Sequence, residues 1–428
     1  MKILWICNLV LPDFCGEYDI RRPNVGGWMT GLLSELTGRE DVELGFCFPI
    51  IDAAKMKSGV LDGYKYFSFH ASMDRQTFSS VSCKEFEKIF MEFGPDVIHV
   101  WGTEYNHARA AVEAAEHLKM ANRVLVHIQG LVSIYALHYG NGIPVQYLVP
   151  DQDGTPGIQP EIDDFAERGR NEISLLKKVS YISGRTVWDR ACVHQINPAA
   201  HFRNCNEVLR SSFYDLSGKW QYHECCKHTI FLSQASYPIK GLHFLLQALP
   251  IINRFYPDVQ VYIGGSNPMC ADSSGHTSAY GRYINSLINK CSLSEKLHFL
   301  GSLDAESMVK QYLQANVFVS PSTIENSSNS ICEAMYLGVP VIASYVGGNS
   351  SLIESEKSGL LYPCDAYYML AEYICQVFAD KSLACRLSQA AMSSAEVRHD
   401  RDKIREDILT IYGEIADNKN DDANIIQY

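Results

Sequence analysis

Apolar residues along this chain fall into two kinds of run, and the two kinds alternate. Short continuous runs at 2–7, 42–48, 64–69, 96–101, 123–128 and 179–183 read as strands, several of them buried on both faces as in a parallel sheet. Between them the apolar positions take helical spacing, at 28–36, 84–93, 108–119, 162–178 and 185–195. Residues 131–160 break this rhythm. They are rich in Tyr, Gly, Pro and Asp, and a loop of that length usually serves function. The period is lost again between 204 and 226, where the pattern places a domain junction.

A second alternation begins at Thr229. Strands are predicted at 229–233, 259–264, 297–300, 317–320 and 339–343. Helices are predicted at 241–255, 280–290, 305–314, 331–337, 365–379 and 381–396. A last helix, about 402–416, puts Ile404, Ile408, Ile411, Tyr412 and Ile415 on one face. The pattern therefore predicts an α/β chain of two doubly wound domains, 1–212 and 213–396. A C-terminal helix (397–416) and a polar, disordered tail (417–428) complete it.

The totals narrow the function classes. The 428 residues carry a net charge of −12, which argues against nucleic acid and against strong adhesion to anionic lipid. None of the fourteen cysteines forms a Cys-x-x-Cys pair, so the reading is reduced thiols in a cytoplasmic protein and no zinc site. The N-terminal run reads as a first strand rather than a signal peptide, and no apolar run is long enough to span a membrane.

Chemistry concentrates at strand ends, where open α/β sheets bind ligands. The densest stretch is 321–348. It holds Glu325 and Glu333 eight residues apart, with a polar run between them that includes Ser328, Asn329 and Ser330. Asn329 or Ser330 reads as the N-cap of the following helix, with Gly338 as its stop and Glu333 in its first turn. A helix N-terminus suits phosphate. Carboxylates beside it suit hydroxyls, and a sugar nucleotide offers both. In the first half, Gly26 and Gly27 follow the first strand and open a helix, and His127 ends another strand.

Taken in order, these residues resemble a known family. The second half carries Pro238-Ile239-Lys240-Gly241, the Gly264-Gly265 turn, His298-Phe299-Leu300-Gly301, Glu325-x7-Glu333, Gly338-Val339-Pro340, Gly347-Gly348 and Ser358-Gly359-Leu360-Leu361-Tyr362-Pro363. The first half carries Val25-Gly26-Gly27, Asp96-Val97-Ile98-His99 and the strand ending at His127. The chain resembles the retaining glycosyltransferases of family 4. The resemblance implies the GT-B fold: two Rossmann-like domains facing across a cleft, with the C-terminal helix packing back on the first. It implies a catalytic set of His127, Lys240 and Glu325. Lys240 would neutralise the donor pyrophosphate and Glu325 would bind the transferred sugar. Gly26, Gly27, Gly241 and the amides of Ser328, Asn329 and Ser330 would approach the donor, and Glu333 would accept from its ribose. No metal and no cofactor are implied, the substrate being a UDP-, GDP- or ADP-sugar.

One departure stands out. The family carries an Arg shortly before the Lys, and here the segment has Gln234, which supplies neither the charge nor the fork. Arg21, Arg22 and Arg185 are the candidates for phosphate or cleft contacts, with Arg185 equally able to brace the cleft. The acceptor implied is a glycan or lipid-linked hydroxyl in surface polysaccharide or glycoconjugate biosynthesis. Its specificity would lie in loops 11–24 and 131–160 of the first domain. Such chemistry at the inner membrane face is compatible with weak peripheral association. Two alternatives stay open, a sugar-nucleotide 2-epimerase and a non-catalytic sugar-nucleotide-binding protein. A nicotinamide oxidoreductase fits less well, because no Gly-x-Gly-x-x-Gly follows the first strand.

Overall fold

The structure, a computed structural model, describes residues 1–23, 26–72, 80–152, 154–272 and 275–418. By its contacts the chain divides into two compact units. Unit 1 comprises residues 1–134, 164–208 and 400–428, and unit 2 comprises 135–163 and 209–399. Val25 and residues 419–428 of the expected tail lie outside the described residues.

Unit 1 is built on β1 (Lys2–Ile6), β2 (Glu43–Ile50), β3 (Gly59–Leu61), β4 (Tyr64–His70), β5 (Val97–Trp101), β6 (Val124–His127), β7 (Tyr181–Gly184) and β8 (His201–Asn204). Their order is β3-β4-β2-β1-β5-β6-β7-β8, and all neighbours are parallel except β3 and β4. Helices cover both faces of the central strands, so β5 and β6 are buried at every residue and their sequences run apolar without alternation. β1 has β2 on one side and β5 on the other. The chain leaves these strands toward opposite sides, and the crevice at their carboxyl ends is the topological switch point.

The Arg401–Asn418 helix belongs to unit 1, with its predicted face of Ile404, Ile408, Ile411, Tyr412 and Ile415 buried. It includes Asp417 and Asn418, which the sequence assigned to the tail. The Tyr412 hydroxyl accepts from Trp5 Nε1 at 3.1 Å and lies 2.6 Å from His99 Nδ1. Burial pushes His99 down to about 3, so the neutral ring accepts the tyrosine hydrogen. Tyr412→Phe leaves the Trp5 donor and the His99 acceptor without this partner in the core. The expected cost is about 1–3 kcal/mol, seen as a lower urea midpoint at pH 7.

Unit 2 is built on β9 (Thr229–Leu232), β10 (Gln260–Gly264), β11 (Leu297–Gly301), β12 (Val317–Ser320), β13 (Val341–Ser344) and β14 (Leu360–Tyr362). All are parallel, in the order β11-β10-β9-β12-β13-β14. Here the order reverses at β9, between β10 and β12.

Two expectations need correction. Residues 135–160, expected among the first domain's loops, group with unit 2. They contain a short helix, Val145–Leu148, and their aromatic residues explain the grouping. Tyr147 packs on Tyr283 with ring centroids 5.0 Å apart, and Gly142 leaves its open side to Phe244. His243 Nε2 meets the Asn141 carbonyl at 3.0 Å, and Arg282 Nη2 donates to the Pro156 carbonyl at 3.1 Å. Second, the helix after β12 runs Asn329–Leu337 and its N-cap is Ser328, not Asn329 or Ser330. Ser328 Oγ accepts from the Ile331 amide, and Glu333 falls in the second turn rather than the first.

Candidate functional site

In unit 2 the loops leaving β9 and β12 meet at the switch point, and the expected residues gather there. After β9 the chain makes a single 3₁₀ turn, Pro238–Lys240, ended by Gly241 at φ +68°. A Cβ on Gly241 would lie 1.8 Å from the Pro321 carbonyl oxygen. Only glycine allows both the backbone angle and this approach. The approach is tied by Thr323 N–H donating to the Ile239 carbonyl at 2.8 Å. These contacts bring Lys240 to the β12 loop. Its ammonium donates to Glu325 Oε1 at 2.6 Å, and Ser322 Oγ donates to the same oxygen at 2.8 Å. Burial opposes the Lys240 charge, but Glu325 and Tyr237 outweigh burial and hold the ammonium above its usual pKa. Ser328 and Ser330 line the same cleft, as do Ser233 and Gln234.

Glu333 has a separate cation. Arg210 donates to its Oε1 from Nη2 at 2.7 Å and from Nε at 3.1 Å. The Tyr312 hydroxyl lies 3.3 Å from Oε2 and 3.0 Å from the Ser330 carbonyl. Burial pushes the Glu333 pKa up, against the charge and hydrogen bonds of Arg210. Thus each glutamate of the pair stands with one basic side chain. Gln234 is seated firmly. Its Nε2 donates to Ser236 Oγ at 3.0 Å, and its Oε1 fills the space that a side chain at Gly265 would need. Arg398 reaches the same loop, its Nη2 lying 3.4 Å from Ser327 Oγ.

Unit 1 places its expected residues differently. Gly26 is the N-cap of the Gly27–Leu36 helix at φ +85°. Arg21 and Arg22 are exposed, and Arg21 lines a cavity of about 310 Å³ at the carboxyl ends of β1 and β5. That volume suits a small ligand. Its walls are mostly apolar, from Leu9, Val10, Ile20 and Ile51, with a polar edge of Asn8 and His107. His107 Nε2 lies 2.8 Å from Asn8 Oδ1, and Asn8 Nδ2 donates to Glu104 Oε2 at 3.2 Å. Burial, with the Glu172 charge adding to it, pushes Glu104 up to about 7. The folded chain therefore holds a proton here that the unfolded chain has released above about pH 4.5. Stability falls as pH rises from there to about 7. Glu104→Gln is expected to be more stable than the parent at pH 8, by about 2 kcal/mol, and to lose that advantage by pH 5. Urea unfolding at the two pH values checks this.

His127 ends β6 and is 1% exposed. Its ring stacks on Trp101 with centroids 4.9 Å apart, and neither ring nitrogen has a hydrogen-bond partner among the described residues. Burial, then His99 and Arg185, hold it neutral. Arg185 braces the neighbouring strand ends. It donates from Nη1 to Glu207 and from Nη2 to the Gln129 carbonyl at 3.0 Å, while Gln129 Nε2 donates to Glu207 at 2.6 Å.

Arg210, Tyr312, Glu207, Asn8 and Glu104 were missed in the sequence. The signal for Glu207 and Arg210 was faint. They follow β8, an edge strand whose side chains are exposed or half-buried, so no apolar run marks the strand they leave.

Among the described residues no helix is long and apolar enough to cross a membrane, and no cluster of side chains is arranged to hold a metal. All fourteen cysteines are unbridged.

Two doubly wound units of this kind define a GT-B protein. Sucrose-phosphate synthase from Thermosynechococcus elongatus matches 97% of the chain over 99% of its own, with TM-score 0.68 and 18% identity. Anabaena HepE in complex with UDP and glucose matches 97% over 100%, with TM-score 0.65 and 17% identity. These likenesses are of fold. In sequence, residues 226–394 match the family model for glycosyl transferases group 1. A D-inositol 3-phosphate glycosyltransferase of Corynebacterium urealyticum is 26% identical over 174 residues, 41% of this chain and 40% of that protein. The chain spans less than half the length of the curated relatives it matches.

Proposed function

We propose that this protein is a retaining glycosyltransferase. It moves a sugar from a nucleoside-diphosphate sugar to a hydroxyl of a glycan or lipid-linked acceptor, in surface polysaccharide or glycoconjugate biosynthesis. The observation that carries the reading is the switch point of unit 2. There two carboxylates, each with its own cation, flank the N-terminus of the Asn329–Leu337 helix within the region that matches the family. A pyrophosphate finds first-turn amides and Lys240 there, and hydroxyls find Glu325 and Glu333. HepE in complex with UDP-glucose, a relative in fold, supports this class of donor.

In the proposed reaction the bond from the sugar's anomeric carbon to the phosphate oxygen breaks. A bond from the same carbon to the acceptor oxygen forms on the same face. The acceptor's proton leaves with the departing phosphate oxygen. Lys240 and the helix end stabilise the charge gathering on the leaving diphosphate, so the chain supplies position and electrostatics rather than a nucleophile. Glu325 holds hydroxyls of the sugar in transit. The Asn8–His107 cavity of unit 1 is the proposed acceptor side. The protein would work in the cytoplasm, at the inner membrane face for a lipid-linked acceptor.

Thermal shift with UDP-, GDP- and ADP-sugars identifies the donor, and product analysis with an acceptor panel tests transfer. A stabilising sugar nucleotide with α-retained transfer product supports the reading. Epimer formed without acceptor would make the protein an epimerase. Binding without transfer across the panel would make it a sugar-nucleotide-binding protein, a reading that Gln234 in the cleft favours.

A further inference from the structure

Glu333 is 6% exposed, and a carboxylate that must accept ribose hydroxyls has to stay ionised and correctly turned in that setting. Both strong donors to it come from one side chain and reach one oxygen, Arg210 Nη2 at 2.7 Å and Nε at 3.1 Å from Oε1. The other oxygen, Oε2, has the Tyr312 hydroxyl at 3.3 Å. That hydroxyl has a single hydrogen and a closer acceptor in the Ser330 carbonyl at 3.0 Å. Oε2 therefore keeps most of its acceptor capacity. The guanidinium plane is itself fixed. It lies 4.9 Å from the Phe213 ring, which packs edge-on against Tyr312 at 6.2 Å. Arg210 thus locks the carboxylate about one oxygen and leaves the other for a ligand that brings its own hydrogens.

We infer that Arg210 is a positioning residue of the nucleotide site, holding Glu333 by Oε1 so that Oε2 receives the vicinal hydroxyls of a ribose. The inference rests on the nucleotide-sugar reading above. A planar fork suits the task, because Nε and Nη2 approach one oxygen from a fixed direction, whereas a lysine ammonium sets no plane. The rival role for Arg210 is direct contact with the diphosphate, which would make its effect independent of the ribose hydroxyls.

The test is calorimetry on the full chain with UDP, GDP and ADP, each paired with its 2′,3′-dideoxy counterpart. For the diphosphate that binds best, the wild type should prefer the ribose form by about tenfold or more. R210Q and R210K should reduce that preference to within about twofold while affinity for the dideoxy form stays near wild type. E333Q should give the same collapse. R210K keeps the charge beside Glu333 and so covers the case in which R210Q does not fold. A preference unchanged in R210K overturns the inference. So does an equal loss for ribose and dideoxy forms, which would put Arg210 on the phosphates. If the wild type binds none of the three diphosphates, the nucleotide-sugar reading fails and takes this inference with it. That result appears before any variant is made.

Discussion

Lys240→Met is expected to lower turnover with the nucleoside-diphosphate sugar by about a hundredfold to a thousandfold. The ammonium lines the cleft of unit 2, and in the proposed reaction the diphosphate's charge grows as the sugar leaves. A cation there does more for the transition state than for the bound donor, so the loss should fall mainly on kcat. In the unliganded protein the same ammonium is held by Glu325 at 2.6 Å. Removing it strands a carboxylate that is 6% exposed, and a loss of stability of about 1–3 kcal/mol could mimic a loss of catalysis. The double variant Lys240→Met with Glu325→Gln isolates the stability effect, with Glu325→Gln alone as the reference for turnover. It removes both charges and keeps the volume, so the melting temperature should recover while turnover stays far below that of Glu325→Gln alone. Turnover near wild type in Lys240→Met would refute the pyrophosphate role.

The contrast between Lys240 and Arg210 shows what the sequence could reveal. Lys240 sits in Pro238-Ile239-Lys240-Gly241, one turn beyond a fully buried strand, and glycine marks where the loops touch. Strand, turn and glycine are all local, so the residue is legible, although the Pro321 backbone that the glycine admits lies far along the chain. β1, β5, β6, β9 and β12 were legible for the same reason, being apolar runs buried on both faces. β3, β8 and β14 are sheet edges or only three or four residues long, and burial leaves little pattern on them. Arg210 follows β8 and reaches a glutamate 123 residues away, a pairing that no local period encodes. Residues 135–160 failed differently. Their composition announced a loop, but which unit they join is decided by Tyr147 on Tyr283 and Asn141 on His243, contacts made at long range. His127 was found by position at a strand end. The sequence held no sign that its ring would stack on Trp101 with Nε2 3.7 Å from Glu207 Oε1.

Glu333→Ala is expected to weaken nucleoside-diphosphate affinity by about 10- to 100-fold, the worth of one or two hydrogen bonds to a charged acceptor. The effect should be largest for ligands with an intact ribose and small for inorganic pyrophosphate, which under the proposed reading would meet Lys240 and the helix end instead. A pH series sharpens the test. Burial raises the Glu333 pKa above the ordinary carboxylate range even with Arg210 beside it, so acidification protonates this group before most surface carboxylates. The protonated acid is a poorer acceptor for hydroxyl hydrogens. Nucleotide affinity of the wild type should therefore fall more steeply on acidification than that of Glu333→Gln, which should bind weakly throughout and keep only the fall due to protonation of the ligand's terminal phosphate. Arg210 stays charged throughout, and the terminal phosphate of the ligand titrates at about pH 6 in every variant, so the difference in slope between wild type and Glu333→Gln reports the carboxylate. Calorimetry at constant ionic strength from pH 8 to pH 5 reads it directly. A wild-type slope no steeper than that of Glu333→Gln at the pH where the protein is still folded, together with a Glu333→Ala protein that binds as tightly as its parent, would remove the ribose from Glu333.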